Sequence, residues 1–215
     1  MGREDPRLAR SRDALVAAMT EALDSDEGID RLTIAELTKR AGVSRPTFYQ
    51  HFADPAALVR AAGVARLEAV FVCVPQAALG ESWRRFVRGT IRTILAELHE
   101  RRRFYLRALD ADNGGDLSRD VIEFLAVRLR DVSPLGPVLR RGVGDDLAVA
   151  RSEFLAAGVF WHVARWLQRD GASAEAIDDI VEEVSELLLT ASGATPEEIA
   201  TARAEDALDA TGVRA

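Results

Sequence analysis

Apolar residues recur every three or four positions along most of the chain, the spacing that places them on one face of an α-helix. Within residues 6–24, for example, Leu15, Met19 and Ala22 fall on one stripe. No stretch alternates apolar and polar residues for long enough to predict a sheet, and no sequence unit repeats at a fixed period. The pattern therefore predicts an all-α fold.

Capping residues, glycines and prolines divide this pattern into successive helices. After the helix at 6–24, helices are predicted over the following approximate ranges: 33–41, 44–52, 55–74, 81–100, 101–110, 117–132, 145–169 and 173–191. Thr195 and Pro196 then mark a further helix start with a weak apolar pattern. We expect residues 193–215 to form a short acidic helix or a disordered tail.

Residues 33–52 contain two short helices joined by a tight turn. Thr33 and Glu36 match a capping box at the start of the first helix. Gly42 matches the glycine that ends a helix, because a residue without Cβ adopts positive φ readily. Ser44 then matches the N-cap of the second helix.

The second of these helices has an apolar face and a polar face. Phe48 and Phe52 share the apolar face, where we expect them to anchor the helix to the core. The opposite face carries side chains that form hydrogen bonds: Arg45, Thr47, Tyr49, Gln50 and His51. Such a helix after a glycine turn is typical of the helix-turn-helix, whose second helix enters the major groove of DNA.

The whole segment, TIAELTKRAGVSRPTFYQHF, resembles the DNA-binding signature of the tetracycline-repressor (TetR) family. The resemblance is sharp over roughly residues 10–65 and architectural beyond them. It implies a helix-turn-helix DNA-binding domain of three helices at 1–55 and a helical domain for ligand binding and dimerisation at 56–192. It also implies a homodimer that binds a DNA operator and an unidentified small-molecule effector.

The resemblance implies the following DNA-binding residues: Thr33, Ser44, Arg45, Pro46, Thr47, Tyr49, Gln50 and His51. Arg45, Pro46 and Thr47 are expected to face bases, and the donor fork of Arg45 matches the O6 and N7 acceptors of guanine. Thr33, Tyr49 and His51 are expected to contact phosphates, whereas Gln50 is compatible with either role.

Pro55 is a departure from the family pattern. At the start of the next helix the family often has a lysine that contacts phosphate, so one phosphate contact is expected to be missing here. Arg60 and the N-terminal arginines are the alternative sources of that contact. The N-terminal arginines, at positions 3, 7, 10 and 12, fit either a minor-groove arm or a solvated terminus, and we favour the second interpretation.

Charge is distributed unevenly along the chain. The net charge is −7, which argues against a protein that coats nucleic acid over its whole surface. Residues 31–60 contain five basic and two acidic side chains, whereas residues 171–215 contain two basic and eleven acidic ones. The first segment is therefore suited to approach phosphate, and the second is expected to be a solvated acidic face.

The last two long helices are predicted to form the dimer interface. The helix at 173–191 has one apolar stripe, whereas apolar residues surround most of the helix at 145–169. A helix that is apolar on two sides is expected to contact both its own domain and a second subunit, in a four-helix bundle about a twofold axis. The predicted interface residues are Phe154, Trp161, Ile177, Val181, Val184, Leu187 and Leu188.

Large aromatic side chains are predicted to line a ligand cavity in the same domain: Trp83, Phe86, Phe104, Phe124, Phe160 and Trp161. A helical core also needs large side chains, so core packing is the alternative role of each residue. The resemblance implies a repressor that a small apolar or aromatic ligand releases from a palindromic operator. A transcriptional activator with the same fold, and a helical protein-interaction module without DNA binding, are the alternative functions.

Catalytic and metal-binding motifs are absent from the sequence. The three histidines are widely separated, and there is no GxSxG, HExxH, CxxC or phosphate-binding glycine loop. The single cysteine, Cys73, excludes an intramolecular disulfide, and no apolar run reaches the roughly 18–20 residues that cross a bilayer. We therefore predict a cytoplasmic protein with no enzymatic activity, no cofactor and no metal.

Overall fold

The computed structural model describes residues 6–25, 32–74, 83–111, 115–169 and 176–210. Within these ranges the chain is helical and contains no strand, which confirms the predicted all-α fold. The α-helices are α1 (Pro6–Asp24), α2 (Ile34–Ala41), α3 (Arg45–His51), α4 (Pro55–Cys73), α5 (Trp83–Glu100), α6 (Arg102–Asp110), α7 (Asp116–Val127), α8 (Gly136–Arg140), α9 (Asp145–Gln168), α10 (Ala176–Ala191) and α11 (Pro196–Ala210). A π-helical segment, Arg128–Val132, continues from the end of α7.

The contacts group the described residues into two compact units. The first comprises the residues up to Ala69 together with those of Arg101–Ser118, and the second comprises Val70–Glu100 and the residues from Arg119 onward. Residues 56–69 and 101–118 therefore belong to the same unit as the helix-turn-helix, although the regulatory domain is predicted to begin at residue 56. The functional boundary itself stays a prediction.

In the first unit, α1 packs against α2, α3 and α6. Leu15, Leu37 and Phe48 have no exposed surface, which places the apolar stripe of α1 and the inner faces of the two short helices in one core. The carbonyl groups at the end of α1 lack partners within the helix, and Arg107 of α6 donates to one of them, that of Leu23, at 3.0 Å. The first helix is thus fixed at its end as well as along its apolar face.

In the second unit, α10 packs against α5 and α9. The α5–α10 contact is flanked by ion pairs between arginines of α5 and acidic residues of α10: Arg84 with Glu182 and Glu186, Arg88 with Glu182, and Arg92 with Asp178. Many of the acidic side chains that the sequence places on a solvated face are therefore paired within the chain.

One part of the C-terminal half differs from the predicted pattern, and another agrees with it. The Pro- and Gly-rich connection after residue 132, where no helix is predicted, contains the short helix α8. The segment Pro196–Ala210 is helical, as the predicted helix start at Thr195 and Pro196 indicates, and Thr195 forms a capping box with Glu198 at its beginning. Among the described helices, none has both the length and the apolar composition needed to cross a membrane.

Candidate DNA-binding surface and ligand cavity

The cap residues position the first helix of the helix-turn-helix. Thr33 Oγ1 accepts the backbone N–H of Glu36 at 3.2 Å, as predicted for the N-cap of α2. The Glu36 carboxylate lies 3.7 Å from Arg40, one turn along, rather than completing the predicted capping box. Gly42 ends the helix with φ of 66°, the left-handed conformation that glycine adopts without a steric cost. Its N–H donates to the carbonyl of Lys39 at 3.2 Å.

The recognition helix α3 is capped at its start and anchored along one face. Ser44 Oγ accepts the N–H of Thr47 at 3.2 Å, and the two hydroxyl oxygens lie 2.8 Å apart. Phe48 is fully buried and Phe52 is 6% exposed, so both lie in the core as predicted. Tyr49 packs edge-on against Phe48 at 5.4 Å between ring centroids, while 57% of its surface stays exposed.

The predicted DNA-binding residues lie on the surface of the helix-turn-helix. Six are exposed, Thr33, Ser44, Arg45, Pro46, Tyr49 and Gln50, and two are half-buried, Thr47 and His51. Seven of the eight belong to α3 or its N-cap, and Thr33 caps α2. The side chain of Arg45 forms no hydrogen bond or ion pair within the described ranges, so its guanidinium donors are available to a ligand.

The start of α4 does not supply the missing phosphate contact. Asp54 Oδ1 accepts the N–H of Ala57 at 2.7 Å, so a carboxylate occupies the helix terminus that Pro55 begins. Arg60, an alternative source of the contact, forms an ion pair with Asp116 at 3.1 Å. Arg60, the first of the two predicted alternatives, is thus engaged within the chain.

The N-terminal arginines differ in their placement. Arg7, Arg10 and Arg12 belong to α1 rather than to an extended arm, and Arg10 Nε donates to the carbonyl of Pro6 at 3.0 Å. The guanidinium of Arg12 lies 6.0 Å from the ring centroid of Phe52. Arg3 lies outside the described residues. Three of the four N-terminal arginines are therefore held in a helix.

The second unit contains a cavity of about 660 Å³, a size typical of small-molecule sites. The described apolar residues that line it are Phe71, Val72, Val74, Phe86, Val87, Ile91, Ile94, Leu125, Leu129, Val132, Ala156, Val159 and Leu188. The described polar residues that line it are Thr90, Arg128, Asp131 and Ser133. Val72 and Val132 are 82% and 55% exposed, which places them where the cavity meets solvent.

The predicted ligand-binding residues have different surroundings. Phe86 lines the cavity, and Phe124 packs edge-on against the lining residue Phe71, with 5.1 Å between ring centroids. Phe160 is half-buried and is not among the described residues that line the cavity. The side chain of Trp83 lies outside the described residues.

Two of the predicted ligand-binding residues lie away from the cavity. Phe104 is fully buried in the first unit, where the guanidinium carbon of Arg66 lies 4.4 Å from its ring centroid. Trp161 is 64% exposed and is not a lining residue. The prediction rested on the size of these aromatic side chains. Large aromatic residues also occur in a packed core and on the surface, so residue type alone does not identify those that line a cavity.

The predicted dimer residues divide into buried and exposed sets. Ile177, Val181, Val184 and Leu188 are buried within the protomer, at 8% exposure or less, since α10 packs against α5 and α9. Their assignment to an intersubunit surface is therefore corrected to the core of the second unit. Phe154, Trp161 and Leu187 are 76%, 64% and 50% exposed.

The structure adds residues that the sequence analysis did not select. Leu147 is 50% exposed and precedes Phe154 and Trp161 at a seven-residue spacing, which places all three on one face of α9. That spacing is visible in the sequence. Arg128, by contrast, enters the cavity from a π-helical segment that the helical pattern does not reveal. The described residues contain no group of three or more His, Cys, Asp or Glu arranged to hold a metal ion.

Comparison with known proteins gives similarities concentrated in the helix-turn-helix. Residues 15–62 match the family model described as bacterial regulatory proteins, tetR family. A 51-residue stretch is 43% identical to the nucleoid occlusion factor SlmA of Aliivibrio fischeri, covering 24% of this chain and 26% of that protein. A 50-residue stretch is 42% identical to an uncharacterized HTH-type transcriptional regulator of Mycobacterium bovis, covering 23% of this chain and 26% of that protein. The chain thus matches about a quarter of the length of these relatives.

A solved structure extends the similarity of fold to most of the chain. The crystal structure of a TetR transcriptional regulator from Rhodococcus sp. RHA1 superposes with a TM-score of 0.58 over 86% of this chain and 98% of that one. The two sequences are 18% identical, so this similarity concerns the fold alone.

Proposed function

We propose that the chain, whose residues 15–62 match the tetR family of bacterial regulatory proteins, is a homodimeric repressor of that family. In this proposal two subunits bind a palindromic operator, and a small ligand releases them. The protein acts in the cytoplasm through binding and not through catalysis. The observation that carries the proposal is the recognition helix α3, which is anchored by Phe48 and exposes Arg45, Tyr49 and Gln50.

Operator binding follows from the chemistry of that exposed surface. Arg45 lies in the first turn of α3, the part of a recognition helix that reaches base edges in the major groove. Its donor fork fits guanine, and Tyr49 further along the helix has a hydroxyl suited to a phosphate oxygen. The roles of the eight predicted DNA-binding residues are part of this proposal.

The proposed dimer interface is the exposed apolar face of α9 together with Leu187 of α10. Three large apolar residues of this face are at least half exposed: Leu147, Phe154 and Trp161. Together they form a larger apolar surface than the single apolar residues that are usually exposed on a monomer. Gly158 lies on the same face, and a Cβ there would meet nothing within 4 Å, so a partner helix has room to approach. A twofold axis would pair this surface with its own copy.

Ligand response is proposed from the position of the cavity. Ala156 and Val159 of α9 and Leu188 of α10 line it, and these residues are close in sequence to the exposed apolar residues of the same helices. A ligand that fits the cavity better in one arrangement of α9 and α10 would favour one subunit geometry. The shift is limited by the difference between its affinities for the two states.

The proposal is tested by selecting genomic fragments with the purified protein and footprinting those that bind. We expect protection of two symmetry-related half-sites, with centres about 34–36 Å apart or a multiple of that distance. A reporter gene joined to a footprinted promoter should be repressed by the protein and derepressed by the Arg45→Ala variant. Failure to enrich any sequence would contradict operator binding, and a single half-site would contradict the symmetric dimer. Activation of the reporter gene by the protein would indicate a transcriptional activator and contradict the proposed repressor.

A further inference from the structure

Arg128 is a cation in the cavity that no acidic side chain neutralises within the described ranges. Its guanidinium forms no hydrogen bond or ion pair with the described residues, and Arg128 lines the cavity. Its guanidinium carbon lies 5.2 Å from the ring centroids of both Phe71 and Phe124. The ring face attracts a cation without accepting a conventional hydrogen bond, so the N–H donors of Arg128 remain available to an acceptor.

Asp131, the carboxylate among the described lining residues, is paired with other arginines. Arg130 Nη2 donates to Asp131 Oδ2 at 2.8 Å, and Arg140 pairs with the same carboxylate. The hydrogen bond from Arg130 lowers the pKa of Asp131, so this carboxylate stays ionised and bound to its partners. Arg128 consequently contributes a positive charge that the cavity wall leaves uncompensated.

The backbone around Arg128 is unusual as well. Arg128 is the first residue of the π-helical segment, which supplies three further lining residues. Short π-helical segments are rare and occur frequently at functional sites. The close approach of Gly136 supports this segment, since a Cβ on Gly136 would lie 2.3 Å from the carbonyl oxygen of Arg130. The local fold therefore specifies how the guanidinium enters the cavity.

The remainder of the wall is largely apolar. Val87, Ile91, Ala156 and Leu188 are buried lining residues from α5, α9 and α10. Among them lies the Thr90 hydroxyl, which is buried and has no hydrogen-bond partner within the described residues. A ligand for this cavity thus needs a long apolar part and an anionic group near Arg128. Its apolar part also has to fit beside the Thr90 hydroxyl in the wall.

We propose that the cavity binds an organic anion in which one carboxylate is attached to an apolar chain. The carboxylate accepts hydrogen bonds from the Arg128 guanidinium, and the apolar part fills the cavity towards α5, α9 and α10. This inference rests on the proposed ligand response, because it names the chemical class of the effector. It also narrows that class from any apolar or aromatic molecule to an acidic one.

The test compares binding of hexanoate, octanoate, decanoate and dodecanoate with binding of the alcohols of the same lengths. Isothermal titration calorimetry on the full-length protein is expected to give at least one carboxylate that binds about 10- to 100-fold tighter than its alcohol, the size expected for a charge-assisted hydrogen bond. Arg128→Gln should abolish that preference, and Arg128→Lys should retain part of it. Arg119→Gln, an equal loss of charge on α7, should leave it unchanged.

Thermal unfolding identifies any variant that fails to fold. If Arg128→Gln does not fold, the preference for acids over alcohols is compared between the wild type and Arg128→Lys. The inference is overturned if no carboxylate in the series binds, if acids and alcohols bind equally, or if the preference survives in Arg128→Gln. Operator release is measured separately, by fluorescence anisotropy of a labelled operator fragment. A carboxylate that binds through Arg128 and leaves the DNA complex intact would support this inference and contradict the proposed ligand release.

Discussion

The hydroxyl oxygen of Ser11 on α1 lies 2.7 Å from Nε2 of His51 on the recognition helix. The Ser11 hydroxyl also donates to the carbonyl of Leu8 within α1, at 2.9 Å. The contact between Ser11 and His51 links α1 to the recognition helix, so His51 has a structural role whether or not it contacts DNA.

Ser11→Ala is expected to weaken this link between α1 and α3. Loss of one part-buried hydrogen bond should lower the free energy of unfolding by about 0.5–1.5 kcal/mol, as measured by urea denaturation. Thr190→Ala removes a hydroxyl that bonds only within its own helix and serves as the control. If the free energy of unfolding falls equally in the two variants, the Ser11–His51 contact does not contribute to the stability of the protein.

Gly42→Ala tests the turn between α2 and α3. The added methyl group has open space, so the cost comes from the φ of 66° and should be about 1–2 kcal/mol. Gly89→Ala is the matched control, because Gly89 lies inside α5 with open space and an ordinary φ. There alanine should be neutral or stabilising, by up to about 1 kcal/mol. Equal effects at the two glycines would contradict the role of the left-handed conformation.

Leu189→Ala tests the assignment of the α10 stripe to the core of the protomer. Leu189 has no exposed surface, so its truncation should cost about 2–5 kcal/mol of unfolding free energy. Leu187→Ala is the control, because Leu187 lies two residues away and is 50% exposed. This variant should lower the free energy of unfolding of the protomer much less. Denaturation at several protein concentrations separates protomer stability from dimer dissociation, and a larger loss for Leu187→Ala at high dilution would reverse the assignment.

Leu187→Glu is expected to disrupt the proposed dimer without unfolding the protomer. A charge placed in an apolar interface has to be buried unpaired when the subunits associate, which disfavours association. Analytical ultracentrifugation should show a monomer with the circular dichroism of the native protein. Val127→Glu places the same charge at an exposed valine of α7 and should remain dimeric. A stable Leu187→Glu dimer would contradict the proposed interface.

The sequence predicted those features that depend on local chemistry. Gly42 ends α2, Ser44 caps α3 and Phe48 is buried, because caps, turns and the two faces of a short helix are set by neighbouring residues. The tetR-family similarity is strongest over the same region.

Features that depend on distant packing were predicted less well. Periodicity showed that α10 is amphipathic, but it did not show whether α5 or a second subunit covers Val181 and Val184. Similarly, residue size did not distinguish Phe86 in the cavity from Phe104 in the other core. Arg128 was not predicted because the cavity prediction rests on large aromatic side chains, and a charged side chain on a helix usually faces solvent.

Binding of a specific operator by the exposed face of α3 is tested most directly by the operator affinity of the Arg45→Ala variant. Fluorescence anisotropy measures the titration of the labelled, footprinted operator with protein at fixed salt. The affinity of Arg45→Ala for the operator should be about 10- to 100-fold lower than that of the wild type, because a guanine contact is worth about 1–3 kcal/mol. Tyr49→Ala should weaken binding less and uniformly across sequences. Both variants should remain dimeric, and Arg85→Ala, in the second unit, should bind as the wild type does. Wild-type operator affinity in both Arg45→Ala and Tyr49→Ala would contradict the account.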